Sequence, residues 1–275
     1  MAIKKLRTPI MTMTGLSQPW GVMVNRKGEI IIVERGAHRV SVYSQAGEKL
    51  RSFGSRGSGQ GKFSWPRGVA VDDDDNILVA DSRNNRIQKF TAEGQFITAV
   101  GSEGKQPLQF SIPTNIAIHP VSKRVYVSES TNHRIQILNP DLTPLSMFGS
   151  EGSGKGQFQY PRGMAFASAQ NVYVGEERTN TRIQVFSAEG EHLRRLGDTK
   201  LNGPHDVSID SNDTVYVCDT YNHRICIFDS NGTLLHSFGT EGNSPGQFNK
   251  PYGITVDKNR LIYVSDFNNG RVQIF

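Results

Sequence analysis

A chain of 275 residues with 36% hydrophobic and 21% charged residues has the composition of a folded globular protein, which excludes a disordered or low-complexity polymer. Its formal charge of +5 is too small to imply a nucleic-acid partner by itself, so where the charges sit matters more than their sum. No apolar run approaches a membrane span, no apolar stretch follows Lys4, Lys5 and Arg7 as in a secretory leader, and two cysteines make no disulfide framework; the expected setting is cytoplasmic, without a membrane partner.

In chain order, the first expected element is an outer strand over Lys5–Thr14, closed by Gly15. A step of Pro, any residue and usually Gly then recurs at Pro19, Pro66, Pro113, Pro161, Pro204 and Pro251, at intervals of 47, 47, 48, 43 and 47 residues. A second anchor, an acid followed five residues later by Arg, reads Glu34…Arg39, Asp81…Arg86, Glu129…Arg134, Glu177…Arg182, Asp219…Arg224 and Asp266…Arg271. Both anchors count six units. In the second unit, alternation of apolar residues predicts strands over Gly68–Val71, Asn76–Ala80, Arg86–Phe90 and Gln95–Val100, separated by turn residues. No unit has room for a ten-residue helix. Four short strands repeating with a period in the forties predict an all-β, six-bladed β-propeller, with four antiparallel strands per blade and a single domain over 1–275.

The last unit stops at Phe275, the end of its third strand. The segment over about 5–14 aligns with outer strands such as Glu48–Phe53 and Leu234–Phe238, so it is expected to complete the sixth blade and remove the open edge. The acid–Arg pairs face each other across a hairpin and occur six times, which favours a structural role over a catalytic one. The Gly after each Pro-x step starts the innermost strand, where a missing side chain permits close approach at the axis.

The pattern Pro-x-Gly, strand, Asp-x-x-Asn-His-Arg-Ile-Gln, strand, Phe-Gly resembles the NHL repeat. Asn132–Gln136 and Asn222–Ile225 carry it most clearly, with the linker Gly154–Phe158 and its shorter form Gly246–Phe248. Asn115 and Asp206 depart from it by replacing the strand-starting Gly, and Ala37 by replacing the turn Asn. The resemblance is in linker style to the C-terminal domains of tripartite-motif ubiquitin ligases. It implies a non-catalytic, target-selecting domain that binds RNA or protein, with any RING-based catalysis outside this chain. It also extends to a zinc-dependent lyase, but such an enzyme needs converging His ligands. Here His38, His133 and His223 occupy one turn slot in three blades, and only His205 reaches the channel mouth, so no cofactor and no metal are expected.

Charge is expected to divide between two faces. The top, formed by the second-to-third turns and the linkers, carries eleven cations against five carboxylates, a balance of about +6. The bottom carries seven against fourteen, about −7. The middle residues of the Pro-x steps, Trp20, Arg67, Thr114, Arg162, His205 and Tyr252, should ring the top mouth, with Arg35, Arg83, Arg178, Tyr221 and Phe267 in the next shell. Exposed aromatic faces interleaved with arginines suit unstacked bases and phosphates, so the expected ligand is RNA, single-stranded or a stem-loop, without evident DNA preference. A protein or peptide is the alternative on the same rim. Packing of Trp20 and Tyr252 into the channel as a plug is the structural alternative for those rings.

Overall fold

The computed structural model describes residues 8–196 and 200–275. Six four-stranded antiparallel sheets form a ring of blades. Their innermost strands are Pro19–Val24, Val69–Val71, Pro113–Ile118, Pro161–Phe166, Pro204–Ile209 and Pro251–Val256. In the second blade the strands are Val69–Val71, Ile77–Asp81, Arg86–Phe90 and Phe96–Val100, so three of the four strands shift by one residue at one end or both from the sequence expectation. Among the described residues the helical turns are three single 3-10 turns, Ser82–Asn84, Thr220–Asn222 and Phe267–Asn269, and no helix is long and apolar enough to cross a membrane.

Ring closure takes the expected route over a shorter span. Met11–Met13 pairs antiparallel with Arg271–Ile274, register Met11 to Ile274 and Met13 to Val272. The expected strand reached back to Lys5; residues 5–7 lie outside the described residues, and Thr14 has already left the ladder. Met13 and Leu16 are buried with Val22, Ile30, Ile32, Tyr263, Val272 and Ile274, which closes the interface between the last and first blades.

Each pair of neighbouring blades buries its own apolar cluster, so the core is six wedges around an axis. Four wedges are filled by a linker phenylalanine, Phe63, Phe110, Phe158 or Phe248, each at 0% exposure. Burial of such a ring contributes ~1.5–3 kcal/mol. The ring lies where a side chain at Gly54, Gly101, Gly149 or Gly239 would sit, with ring atoms at 2.4–2.5 Å from an ideal Cβ, and these glycines adopt positive φ. That is the physical content of the repeated Phe-Gly. The strand-starting glycines obey a second restriction. A Cβ at Gly68 would lie 2.6 Å from the Asn115 Cα, and one at Gly253 would lie 2.1 Å from the Trp20 carbonyl oxygen.

The acid–Arg pairs are hairpin clamps. The Nε of Arg39, Arg86, Arg134, Arg182, Arg224 and Arg271 lies 2.6–2.8 Å from its carboxylate, and each carboxylate is fully buried. Each also accepts a backbone N–H from the preceding linker, from Ser17, Ser64, Ser111, Gln159, Asn202 or Asn249. One acid therefore ties a hairpin to a linker. In the fourth blade the expected acid, Glu177, is the wrong one of a doublet. Arg182 pairs with Glu176 at 2.7 Å, because this turn is one residue longer than the others. Glu177 is displaced toward the axis.

Candidate functional site

The second-to-third turns and the linkers share one face, as expected: the Arg83 N–H donates to Ser64, and the Asn84 amide donates to the Gly57 carbonyl. Six residues on this face, Gln18, Trp65, Ile112, Tyr160, Gly203 and Lys250, each precede the Pro of a step and take left-handed φ between 50° and 67°. The turn His residues support this geometry. Nδ1 of His38, His133 and His223 accepts the N–H of Trp65, Tyr160 and Lys250. These histidines, which the sequence left without a role, join each blade to the linker of the next.

At the axis, the expected open ring of aromatic faces is a packed plug. Trp20 stacks on Tyr252 at 4.3 Å between centroids, nearly parallel. His205 meets both rings edge-on, and Phe267 packs edge-on against the same pair. Trp20, His205 and Phe267 are 8%, 3% and 9% exposed, so these three cannot offer a face to a ligand. Thr114 is also buried and bonds Ser130. Tyr252 is half-buried by its partner ring. The reason is geometric: six innermost strands converge, and side chains at their starts meet one another before they meet solvent.

Around the plug the arginines divide into two groups. On the fourth and fifth blades, Arg162 binds Glu177 through both Nε (2.6 Å) and Nη2, and the Tyr221 hydroxyl donates to the other oxygen of the same carboxylate. Burial opposes ionisation of Glu177, but Arg162, Tyr221 and Arg178 hold its carboxyl below the ordinary range. On the first and second blades Glu34 and Asp81 are taken by Arg39 and Arg86, and among the described residues no carboxylate pairs with Arg35 or Arg67. Arg35 lies over Trp65 at 4.2 Å and over Trp20 at 5.2 Å, with Nη1 on the Gln18 amide oxygen. Arg67 lies over Trp20 at 4.8 Å and has one long bond, 3.5 Å, to Thr114. Burial, aided by Arg162 and Arg35, lowers Arg67 to about 9. The Nε atoms of Arg35 and Arg67 are buried without a hydrogen-bond partner. Arg83 is exposed beside them.

Of the residues expected at the site, the structure brings Trp20, Arg67, His205, Tyr252, Phe267 and Arg35 into one cluster. Arg83, Arg178 and Tyr221 stand exposed on the surrounding rim, and Arg162 is tied to Glu177. Three further residues join the rim: Glu177, hidden by the acid doublet, and Trp65 and Tyr160. Arg178 covers Tyr160 at 3.9 Å. The recurrent place just before each Pro was the signal that could have found these two aromatics.

The opposite face is less acidic than its turns suggest. Asp73 binds Arg26 and Lys123, Asp72 binds Lys89, Glu29 binds Arg51 and Asp210 lies 3.4 Å from Arg260. Lys89 and Arg51 stand on strands and were outside the turn count. Among the described residues no group of three His, Cys, Asp or Glu is placed to hold a metal ion. Cys218 and Cys226 are free, buried and offset by one residue across their hairpin.

A family profile for the NHL repeat matches residues 16–43, 63–90, 201–228 and 248–275. These are the first, second, fifth and sixth blades without their outer strands. The chain is 42% identical over 52 residues to the RING finger protein nhl-1 of Caenorhabditis elegans, a match that spans 19% of this chain and 5% of that protein. Among solved structures, the gluconolactonase XC5397 of Xanthomonas campestris superimposes with a TM-score of 0.76 at 14% identity, covering 100% of this chain and 94% of its own. A streptogramin B lyase superimposes with a TM-score of 0.68 at 17% identity, covering 94% and 79%. At these identities the likeness to the two enzymes is one of fold.

Proposed function

We propose that this propeller, four of whose blades match the NHL repeat, is a non-catalytic recognition domain that binds RNA, single-stranded or in a loop, on the rim around the plugged mouth. One observation carries this reading. Arg35, Arg67 and Arg83 form a cluster without a carboxylate among the described residues, and two of the three are held against tryptophan faces with unused N–H donors. A buried guanidinium without an anion is costly. Phosphate supplies the missing charge and the acceptors together, and Arg matches it in bidentate geometry. The half-exposed Trp65 offers stacking surface next to that cluster, and Tyr160 and Tyr221 offer more of it across the rim, on the fourth and fifth blades.

The role extends to target selection within a tripartite-motif type of regulator, with any ligase chemistry carried outside this chain. Support for this extension is the NHL-repeat match together with the short stretch shared with the nhl-1 protein. The test is selection from a random RNA pool by the whole chain, repeated with Arg83→Glu. Enrichment of a common motif by the native chain and its loss with Arg83→Glu is the expected result. A pool without enrichment, set beside saturable capture from a random peptide library that Arg83→Glu abolishes, would give the rim to a peptide instead.

A further inference from the structure

Below the plug, the axial channel widens into a cavity of about 300 Å³ walled by the inner strands of all six blades. That volume stands at the lower limit of small-ligand pockets and equals roughly ten water molecules. Its closed end lies beneath Trp20 and His205, both buried. Its open end lies on the face opposite the rim, between half-exposed Met23, Val71, Ile118 and Phe166. The walls combine apolar side chains with the hydroxyls of Ser208 and Thr255, and Asp206 is the single charged residue among those lining it.

Asp206 stands where four other blades have Gly. Its carboxylate accepts N–H bonds from Val207 and Ile254 at 3.0 Å each, and from the Asn115 amide at 3.3 Å. No cation lies within 4 Å of it among the described residues, and burial pushes its carboxyl up to about 7. The Asn115 Oδ1, also lining the cavity, is buried without a partner. The closed end therefore holds one carboxyl group without a cation and one unused acceptor, at the base of a tube whose wall mixes apolar side chains with two hydroxyls. An ammonium group has three donors and the complementary charge. We propose that this cavity is a binding site for a small amphipathic primary amine, its ammonium on Asp206 and the Asn115 carbonyl oxygen, its alkyl or aryl part between Met23, Met164 and Phe166. This site is independent of the RNA rim.

The groups facing Asp206 are Asn115 from the third blade, Gly163 from the fourth, Cys218 on the adjoining strand and the Ile254 N–H from the sixth. The Cys218 thiol is pushed well above its ordinary value by burial, with Asp206 contributing, and so stays protonated. His205, next in the chain, is held well below 6.5 by burial and by Arg162 and Arg67. Between pH 6 and 8 the titrating group at the closed end is then Asp206, and only its ionised form attracts an ammonium.

The experiment is calorimetric titration of the whole chain with n-hexylamine, and with hexan-1-ol as the neutral match. Saturable one-to-one binding of the amine is expected, about tenfold weaker at pH 6 than at pH 8 from the ionised fraction. The alcohol should bind at least tenfold more weakly than the amine at pH 8. Asp206→Asn should lose amine binding. Met23→Trp, which narrows the open end away from Asp206, should lose it too at an unchanged melting temperature, and decides the matter if Asp206→Asn does not fold. Amine and alcohol binding equally, no saturable amine binding at pH 8, or full binding by a folded Met23→Trp protein would each overturn the proposal.

Discussion

At the scale of the residue, the same guanidinium does different work according to its partner. Arg134 is 8% exposed, binds Glu129 at 2.7 Å and donates to the Gln109 carbonyl at 3.0 Å. Arg134→Ala leaves Glu129 buried without its cation, so it should cost ~3–5 kcal/mol of unfolding free energy while RNA affinity of the folded fraction stays near native. Denaturant titration checks the first statement, and a stable variant that no longer bound RNA would contradict the structural assignment. Tyr221 is separable in the same way. Its ring is exposed on the rim and its hydroxyl bonds Glu177. Tyr221→Ala should weaken RNA binding by ~1–3 kcal/mol, the usual contribution of one base stack, whereas Tyr221→Phe should keep most of it. Equal losses in the two variants would place the effect in the Glu177 bond and not in stacking. Asp206 and His205 are adjacent and pull stability in opposite directions with pH. The Asp206 carboxyl is raised from 3.8 to about 7 by burial, so its contribution is complete below about pH 4 and is lost as pH rises through 7. His205 is lowered below 6.5, so its contribution is present above pH 6.5 and is lost as pH falls. Asp206→Asn should remove the loss between pH 4 and 7 from an equilibrium-unfolding series, and an unchanged pH slope would show a carboxyl ionised throughout.

Among the elements, the short Met11–Met13 strand matters most for its length. It caps the edge of Arg271–Ile274, and Ile10 and Leu16 extend the contact through backbone bonds to Ile274 and Gly270. Met13 buries its side chain beside Leu16 in the last interface, a loss of ~1.5–3 kcal/mol if Met13 were removed. Deletion of residues 1–14 should therefore lower the melting temperature and promote association through the bared edge, measured by calorimetry and light scattering. A truncated protein with native melting temperature and monomeric mass would contradict this. Blade number, strand type and closure were all legible in the sequence, because each blade repeats the same side chains in phase. The errors fell where phase breaks. The doublet Glu176-Glu177 admitted two registers, and the strand Val172–Glu176, which repeats Val125–Glu129 and like it ends on the clamp acid, distinguishes them.

For the whole molecule, the two faces remain different in kind, in count and in compensation. On the bottom Asp72, Asp73, Asp75, Glu29 and Asp210 pair with cations on neighbouring turns and strands, whereas Arg35, Arg67 and Arg83 on the top have no acid partner among the described residues. The sequence located the ring of Pro-x side chains but not its packing, since convergence of six strands at an axis is a property of closure and no local pattern carries it. Trp20, His205 and Phe267 are for that reason parts of a plug, and the recognition surface we propose lies outward of them, at Arg35, Arg83, Arg178, Tyr221, Trp65 and Tyr160. Asp74 is the appropriate control on the far side, because Asp73 already holds two cations while the exposed Asp74 is outside the ion pairs. The measurement that bears most directly on RNA recognition by the rim is the affinity of a selected RNA against salt concentration for the native chain, Arg83→Glu and Asp74→Lys. The native affinity should fall steeply with salt, by roughly 0.7 in log–log slope for each phosphate held. Arg83→Glu should bind more weakly with a flatter slope, and Asp74→Lys should match the native chain. Equal shifts from the top and bottom substitutions, or no RNA binding even at low salt, would contradict it.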